Sequence, residues 1–160
     1  MDYSFVIRKA VLEDAADIHG ILVSSFDAYR AAADISGPLE AVEESISHIE
    51  HDIVHKDVFI ALMDKVPVGT VRVSQIDSET ALLSRLGVVP RHQNIGIGKS
   101  LLNLVDKVAM EKKYKRIHLY TATKNSSLMR FYYGRGFYVD STSKNRGYVR
   151  ALLVKEYIIS

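Results

Sequence analysis

Between Asp57 and Thr121 the apolar residues change period twice, and that change limits the folds open to this chain. Three β-rich stretches come first, Asp57 to Met63, Pro67 to Ile76 and Ala81 to Val89. Asp64-Lys65 and Asp77-Ser78-Glu79 separate them as short turns, so the three strands read as an antiparallel meander. Pro90 cannot donate to a ladder and ends the third strand. Next comes Gln93-Asn94-Ile95-Gly96-Ile97-Gly98-Lys99, after which Leu101, Leu102, Val105, Val108 and Ala109 mark one face of a helix over about 97–113. Arg116 to Thr121 is a strand again. Strand, helix and strand in that order predict a right-handed crossover with two parallel strands side by side. The sheet is therefore mixed. The glycine turn lies at the carboxyl end of a strand, where open sheets hold ligands.

The flanks complete the order. Ser4 to Arg8 alternates as a first strand, and Ala15, Ile18, Leu22, Phe26 and Tyr29 place a helix over about 12–30. Gly37-Pro38 punctuates its end. Val42, Ile46, Ile49 and Ile53 then form one stripe of a second helix. A short helix over about 126–134 and closing strands over Phe137 to Asp140 and Tyr148 to Tyr157 give β-α-α-β-β-β-α-β-α-β-β. The chain reads as one α/β domain over 1–160.

Composition removes several function classes. A chain of 160 residues with 48% hydrophobic content can build a real core, and a formal charge of +2 does not call for nucleic acid or an anionic membrane. The absence of cysteine excludes disulfides, thiolate metal sites and a cysteine nucleophile. Val58 to Met63, the longest apolar run, is far short of the ~20 residues a spanning helix needs. Met1-Asp2-Tyr3-Ser4-Phe5 carries no basic segment before an apolar one, so the expectation is a cytoplasmic protein without a secretory leader. His48, His51 and His55 have helical spacing but cluster opposite the Val42/Ile46/Ile49/Ile53 stripe. They read as a solvated face, and no metal is expected.

The glycine turn carries the chemistry. A loop of this kind offers several backbone N–H groups and the positive end of a helix dipole to an anion. Glycine at 96 and 98 removes side chains that would hold a phosphate away, and Lys99 adds a cation. Gly98-Lys99-Ser100 matches the end of a P-loop, but Gln93 stands where the leading glycine belongs. A dinucleotide fingerprint fails at Leu101, its third glycine. Taken alone, the two glycines also fit a plain strand-to-helix turn.

Residues 86–102 resemble the acetyl-CoA-binding motif of the GNAT superfamily of N-acetyltransferases. Leu86, Val88 and Pro90 match the strand that leads into the motif, and Gln93, Gly96 and Gly98 match its signature positions. Asn125 with Phe131-Tyr132-Tyr133-Gly134-Arg135-Gly136-Phe137 is similar to a second family segment. Ile7-Arg8-Lys9-Ala10 and Asp14-Ala15-Ala16-Asp17-Ile18 are similar to its first strand and helix. The resemblance covers nearly the whole chain. It implies a GNAT-like, mostly antiparallel twisted sheet of about six to seven strands with helices on both faces.

The resemblance also implies an activity, transfer of an acetyl group from acetyl-CoA to a primary amine by direct attack through a tetrahedral intermediate. Cofactor contacts fall on Leu86, Val88, Gln93, Asn94, Ile95, Gly96, Ile97, Gly98, Lys99 and Asn125. The backbone N–H of Val88 takes the oxyanion, and Tyr132 gives a proton to the leaving thiolate. Adjacent helical residues diverge by about 100°, so Tyr132 and Tyr133 do not both face the thiol. Many relatives carry a glutamate on the strand before the glycine loop, but Ala81-Leu82-Leu83-Ser84-Arg85 has none. Glu79, acting through water, is the substitute base expected here, with Asp77 beside it as the other carboxylate at the start of that strand. Phe26, Tyr29 and Arg30 are the candidate acceptor contacts, with Asp34 and Glu40 to Glu44 as acidic groups able to attract a cationic amine. The acceptor is a small-molecule or peptide amine, and a homodimer is compatible with the reading. The missing glutamate keeps open an alternative, a non-catalytic acyl-CoA-binding sensor or interaction module.

Overall fold

The computed structural model describes residues 4–37 and 39–158. Met1-Asp2-Tyr3, where a leader would begin, and Pro38 of the Gly37-Pro38 punctuation lie outside the described residues. Seven strands form one sheet in the order β1-β2-β3-β4-β5-β7-β6. They are β1 (Phe5–Lys9), β2 (Asp57–Met63), β3 (Val66–Gln75), β4 (Thr80–Val88), β5 (Arg116–Ala122), β6 (Tyr138–Ser143) and β7 (Arg150–Glu156). The helices are α1 (Ala15–Ala32), the single turn α2 (Glu40–Glu43), α3 (Ile46–His55), α4 (Ile97–Glu111) and α5 (Ser126–Gly134). Among the described strands, only β4 and β5 run parallel, joined by α4 as the crossover requires. No described helix is long and apolar enough to cross a membrane.

Strand alternation builds two cores. On β2, Val58 and Ile60 face a cluster with Ile18, Ile21 and Leu22 of α1 and Ile49 and Ile53 of α3. Their neighbours Phe59 and Ala61 face the opposite cluster, with Leu101, Leu102 and Val105 of α4 and Met129 and Tyr132 of α5. Period-two alternation thus covers both sheet faces with helices.

The second helix departs from expectation. The stripe from Val42 to Ile53 predicts one continuous helix, but the chain breaks at Glu44-Ser45. Ser45 adopts extended backbone angles and its Oγ accepts the His48 N–H at 3.0 Å, which caps a new helix rather than continuing the old one. Ile49 and Ile53 reach the core, whereas Ile46 remains 44% exposed. The break also turns Glu44 inward. Arg72 on β3, 1% exposed, holds both Glu44 oxygens and donates to Asp52 of α3 at 2.8 Å. Lys56 adds a second cation to Asp52 at 3.3 Å.

The second half of β4 is irregular at two places. Arg72 pairs with Ser84 and Thr70 with Gly87, so Arg85 and Leu86 bulge opposite Val71, with Arg85 at φ 54°. Further along, α1 crosses so close that a Cβ on Gly87 would stand 2.4 Å from Ser25 Oγ. Any larger residue there would have to displace the Ser25 side chain of α1.

Candidate active site

The parallel pairing of β4 and β5 covers only Thr80, Ala81 and Leu82 against Arg116, Ile117 and His118. Beyond that the strands part, because β5 stays laddered to β7 as far as Ala122 while β4 stays with β3. A cleft of about 1020 Å³ opens in the fork. One end is the glycine loop; the other is walled by α1, the α2 turn and the start of β7.

The glycine-loop end is made largely of backbone. Gly96, at φ 91°, caps α4 in the left-handed region, and Ser100 is the first residue whose N–H reaches back four residues, to Gly96. The preceding N–H groups, of Ile97, Gly98 and Lys99, belong to the first turn, which has no helical acceptors for them. Gly98 is different from Gly96: it has no positive φ, and an added Cβ would make only ordinary contacts, 3.5 Å to Phe131 and 3.9 Å to Val88. Neither conformation nor packing demands glycine there. The side chains of Gln93, Asn94 and Lys99 line the cleft, and Gln93 Nε2 also donates to the Val88 carbonyl at 3.1 Å. Neither Ile95 nor Ile97 has its side chain in the cleft lining, Ile97 pointing into the core. Their contribution there is confined to the backbone.

The middle of the fork holds Leu86, Val88, Asn125 and Tyr132. Val89 donates to the Val68 carbonyl at 2.9 Å, which makes Gly69 and Val88 the next, non-bonded pair of the ladder. The Val88 N–H and C=O therefore point away from β3, toward the gap left by β5. Tyr132 is buried against Phe137 and Phe131, whereas Tyr133 is 48% exposed, as the helical geometry requires. Burial, and then the nearby Tyr29, push the Tyr132 phenol well above its usual pKa. It stays protonated at neutral pH. Asn125 caps α5, its Oδ1 accepting the Leu128 N–H at 3.2 Å, which leaves the amide NH₂ available to the cleft.

Phe26 and Tyr29 line the end of the cleft away from the glycine loop. The Tyr29 hydroxyl accepts the Ala122 N–H at 2.6 Å, tying α1 to the end of β5 across the fork. Its pKa is raised by burial, which outweighs the opposing bond from the Ala122 N–H. Nothing in the local pattern around Tyr29 announces this bond, since its partner lies 93 residues away.

Several expected residues do not arrive. Glu79 lies before the start of β4, roughly 30 Å along the strand from Val88, and pairs with Lys115 at 3.0 Å and Arg116 at 3.6 Å. It is not a base for this cleft. Asp77 accepts the N–H groups of Glu79 and Thr80, each at 2.9 Å, and serves its own turn. Arg30 pairs with Asp27 at 2.8 Å and is not part of the cleft wall. Glu44 is committed to Arg72, and Asp34 is exposed beside Lys124. His48, His51 and His55 are exposed, as their spacing predicts. His48 does approach Glu44 and Asp52, but the Arg72 guanidinium already occupies the carboxylates that an ion would need.

The description "Acetyltransferase (GNAT) family" fits residues 22–137 of the chain. The chain belongs to that family of acetyltransferases. Among solved structures it is similar to the PaiA N-acetyltransferase of Thermoplasma acidophilum in complex with coenzyme A, with 26% identity, a TM-score of 0.83, and 96% of this chain and 99% of that one covered. It shares its fold with YncA of Salmonella typhimurium, a putative acetyltransferase with its cofactor acetyl-CoA, at 17% identity and TM-score 0.74, covering 98% and 96% of the two chains. It also shares it with a GNAT family acetyltransferase of Elizabethkingia anophelis with acetyl-CoA bound, at 17% identity and TM-score 0.69, covering 96% and 98%.

Proposed function

We propose that this chain is an acetyl-CoA-dependent N-acetyltransferase acting on a primary amine. The observation that carries the proposal is the fork itself: an inward-facing Val88 N–H and a protonated Tyr132 border one cleft whose end is an anion-binding helix start. Gly98 supports the cofactor. Its missing side chain serves neither backbone nor packing, but it does allow a pyrophosphate to approach the N–H groups of Ile97, Gly98 and Lys99.

Acetyl-CoA supplies an acetyl thioester as co-substrate. The exposed edge of β4 at Leu86 and Val88 receives its extended arm, and Lys99 adds charge at the pyrophosphate. The Val88 N–H, fixed by the β3 ladder, donates to the oxygen that gains charge as the amine attacks, with no reorganisation at that moment. Tyr132 holds its proton for the departing thiolate. A phenol shifted upward by burial donates less readily than a free one, yet it is always in the protonated state.

No free carboxylate reaches the cleft among the described residues: Glu40, the one acidic side chain lining it, is paired with Arg146. The incoming amine, with a pKa of about 10, therefore reacts through its neutral fraction or loses its proton to a water that Ser84 can hold. Consequently kcat/KM should rise about tenfold per pH unit between roughly pH 6.5 and 9, without a plateau near pH 7. A plateau there in a pH–rate profile would reveal a base.

Thiol release from acetyl-CoA is the direct test. Tyr132→Phe should cut kcat by about 10²-fold while the acetyl-CoA Kd, read by calorimetry, stays within about twofold. Unchanged turnover would remove Tyr132 as the acid. The missing base favours one second reading, a CoA-binding module without catalysis; tight CoA binding with no thiol released to any amine would select it.

A further inference from the structure

Resting on the N-acetyltransferase proposal, we infer that the acceptor is an amine that also carries an anionic group, a carboxylate or a phosphate, and that Arg85 and Arg150 receive it. The acidic residues of the first helices suggest a cationic acceptor when read in sequence. The folded cleft reverses that charge. The side chains of its lining that are charged at neutral pH are Arg85, Lys99, Arg146 and Arg150 against Glu40 alone among the described residues. Lys99 stands at the glycine loop, and Arg146 and Glu40 neutralise each other. That leaves two guanidinium groups facing the acceptor.

Both are unusually placed. Arg150 opens β7 beside Ala122, with its guanidinium 4.2 Å above the Tyr120 ring, and it makes no ion pair among the described residues. It lines the same cleft as Tyr29, at the fork. Arg85 is thrown toward the cleft by the β4 bulge, in a left-handed conformation that a non-glycine residue adopts at a cost. Its contact with Glu44, at 3.5 Å, is a poor one, because Arg72 already holds both oxygens of that carboxylate. The Nε atoms of Arg85 and Arg150 are both buried without a hydrogen-bond partner. A partly buried guanidinium left without its complement is costly, and its planar fork matches carboxylate and phosphate oxygens. A polyamine would bring further positive charge into the same space.

The test is thiol release from acetyl-CoA with matched amines. One set comprises lysine, lysinamide and cadaverine; a second phenylalanine, phenylalaninamide and phenethylamine; a third O-phosphoethanolamine and ethanolamine. The best anionic amine should exceed its counterpart lacking the anionic group by about tenfold or more in kcat/KM, each value corrected for the neutral fraction of the amine, and the third set tells phosphate from carboxylate. Arg150→Gln and Arg85→Gln should erase most of that preference through KM, Arg150→Lys should restore part of it, and the CoA Kd should not move. Equal or faster turnover of cadaverine, phenethylamine or ethanolamine overturns the inference while leaving the acetyltransferase proposal intact. An anionic preference that survives both Gln variants overturns the assignment to these arginines. If acetyl-CoA binds but no amine releases thiol, the acetyltransferase proposal falls and this inference falls with it.

Discussion

The two ends of the cleft are built by opposite means. At the glycine loop, the groups offered to a ligand are mostly main-chain N–H donors, those of Ile97, Gly98 and Lys99, within one run of seven residues from Gln93 to Lys99. At the acceptor end they are side chains drawn from α1, the β4 bulge, β5 and β7, from Phe26 to Arg150. The first kind of site is specified by what it omits, namely side chains and helical acceptors. The second depends on long-range packing that holds charged groups where no local pattern puts them. A family can keep the first end constant and vary the second, because changing one wall residue leaves the loop untouched.

If this contrast is right, the acceptor end should fail first when the charges beneath it are disturbed. Arg72 sits under that wall, bonding Glu44 at the end of α2 and Asp52 of α3. Arg72→Met leaves two buried carboxylates without their main cation, and should cost about 3–5 kcal/mol in urea unfolding. A loss below about 1 kcal/mol would mean that water reaches the cluster and that the wall needs no such support. The pH dependence should change with it. Burial pushes the Asp52 carboxyl up, but Lys56 and Arg72 outweigh that and hold it below the ordinary value. A lowered folded pKa contributes stability above the unfolded pKa of about 4, and that contribution disappears as pH falls through the lower folded value. Arg72→Met should flatten this acid limb, although Asp14, lowered chiefly by its bond to Arg8, still contributes to it.

The same contrast explains what could be read in the sequence. The meander, the crossover helix and the order of strands follow from short turns and clean periodicity, with strand ends within two residues of those observed except at β6, which ends three residues later. Gln93, Gly96 and Lys99 are legible because a backbone site is written in consecutive residues. Arg85 was not, because its importance comes from a bulge whose cause is the mismatch of β4 against Val71. Arg150 looks like any strand-opening cation until β7 is laid beside Ala122. Glu79 misled for the converse reason. Standing in the turn that leads into the right strand brings a side chain no nearer to the far end of that strand, where the cleft opens.

A finer test separates the two glycines at the loop end. Gly96→Ala forces alanine to φ 91° and should lose about 1 kcal/mol of stability or more, whatever is bound. Gly98→Ala meets only ordinary contacts, so its melting temperature should hold while the Kd for acetyl-CoA rises about tenfold. Unchanged affinity in Gly98→Ala would mean the ligand does not approach that backbone, and the loop would return to being a turn.

The smallest effect belongs to Asn125, which stands where the two kinds of construction meet. Its Oδ1 caps α5 through the Leu128 N–H, a local role, while its amide NH₂ is free toward the cleft. Asn125→Ala removes both and should cost about 1 kcal/mol, a shift of a few degrees in melting temperature. Asn125→Asp keeps an oxygen for the cap but has no NH₂ to donate. If the residue is only a cap, Asn125→Asp restores both stability and kcat/KM. If the amide also orients the thioester or Tyr132, stability recovers and kcat/KM stays low. Denaturation and thiol release, measured on the same two variants, divide helix building from ligand positioning within one side chain.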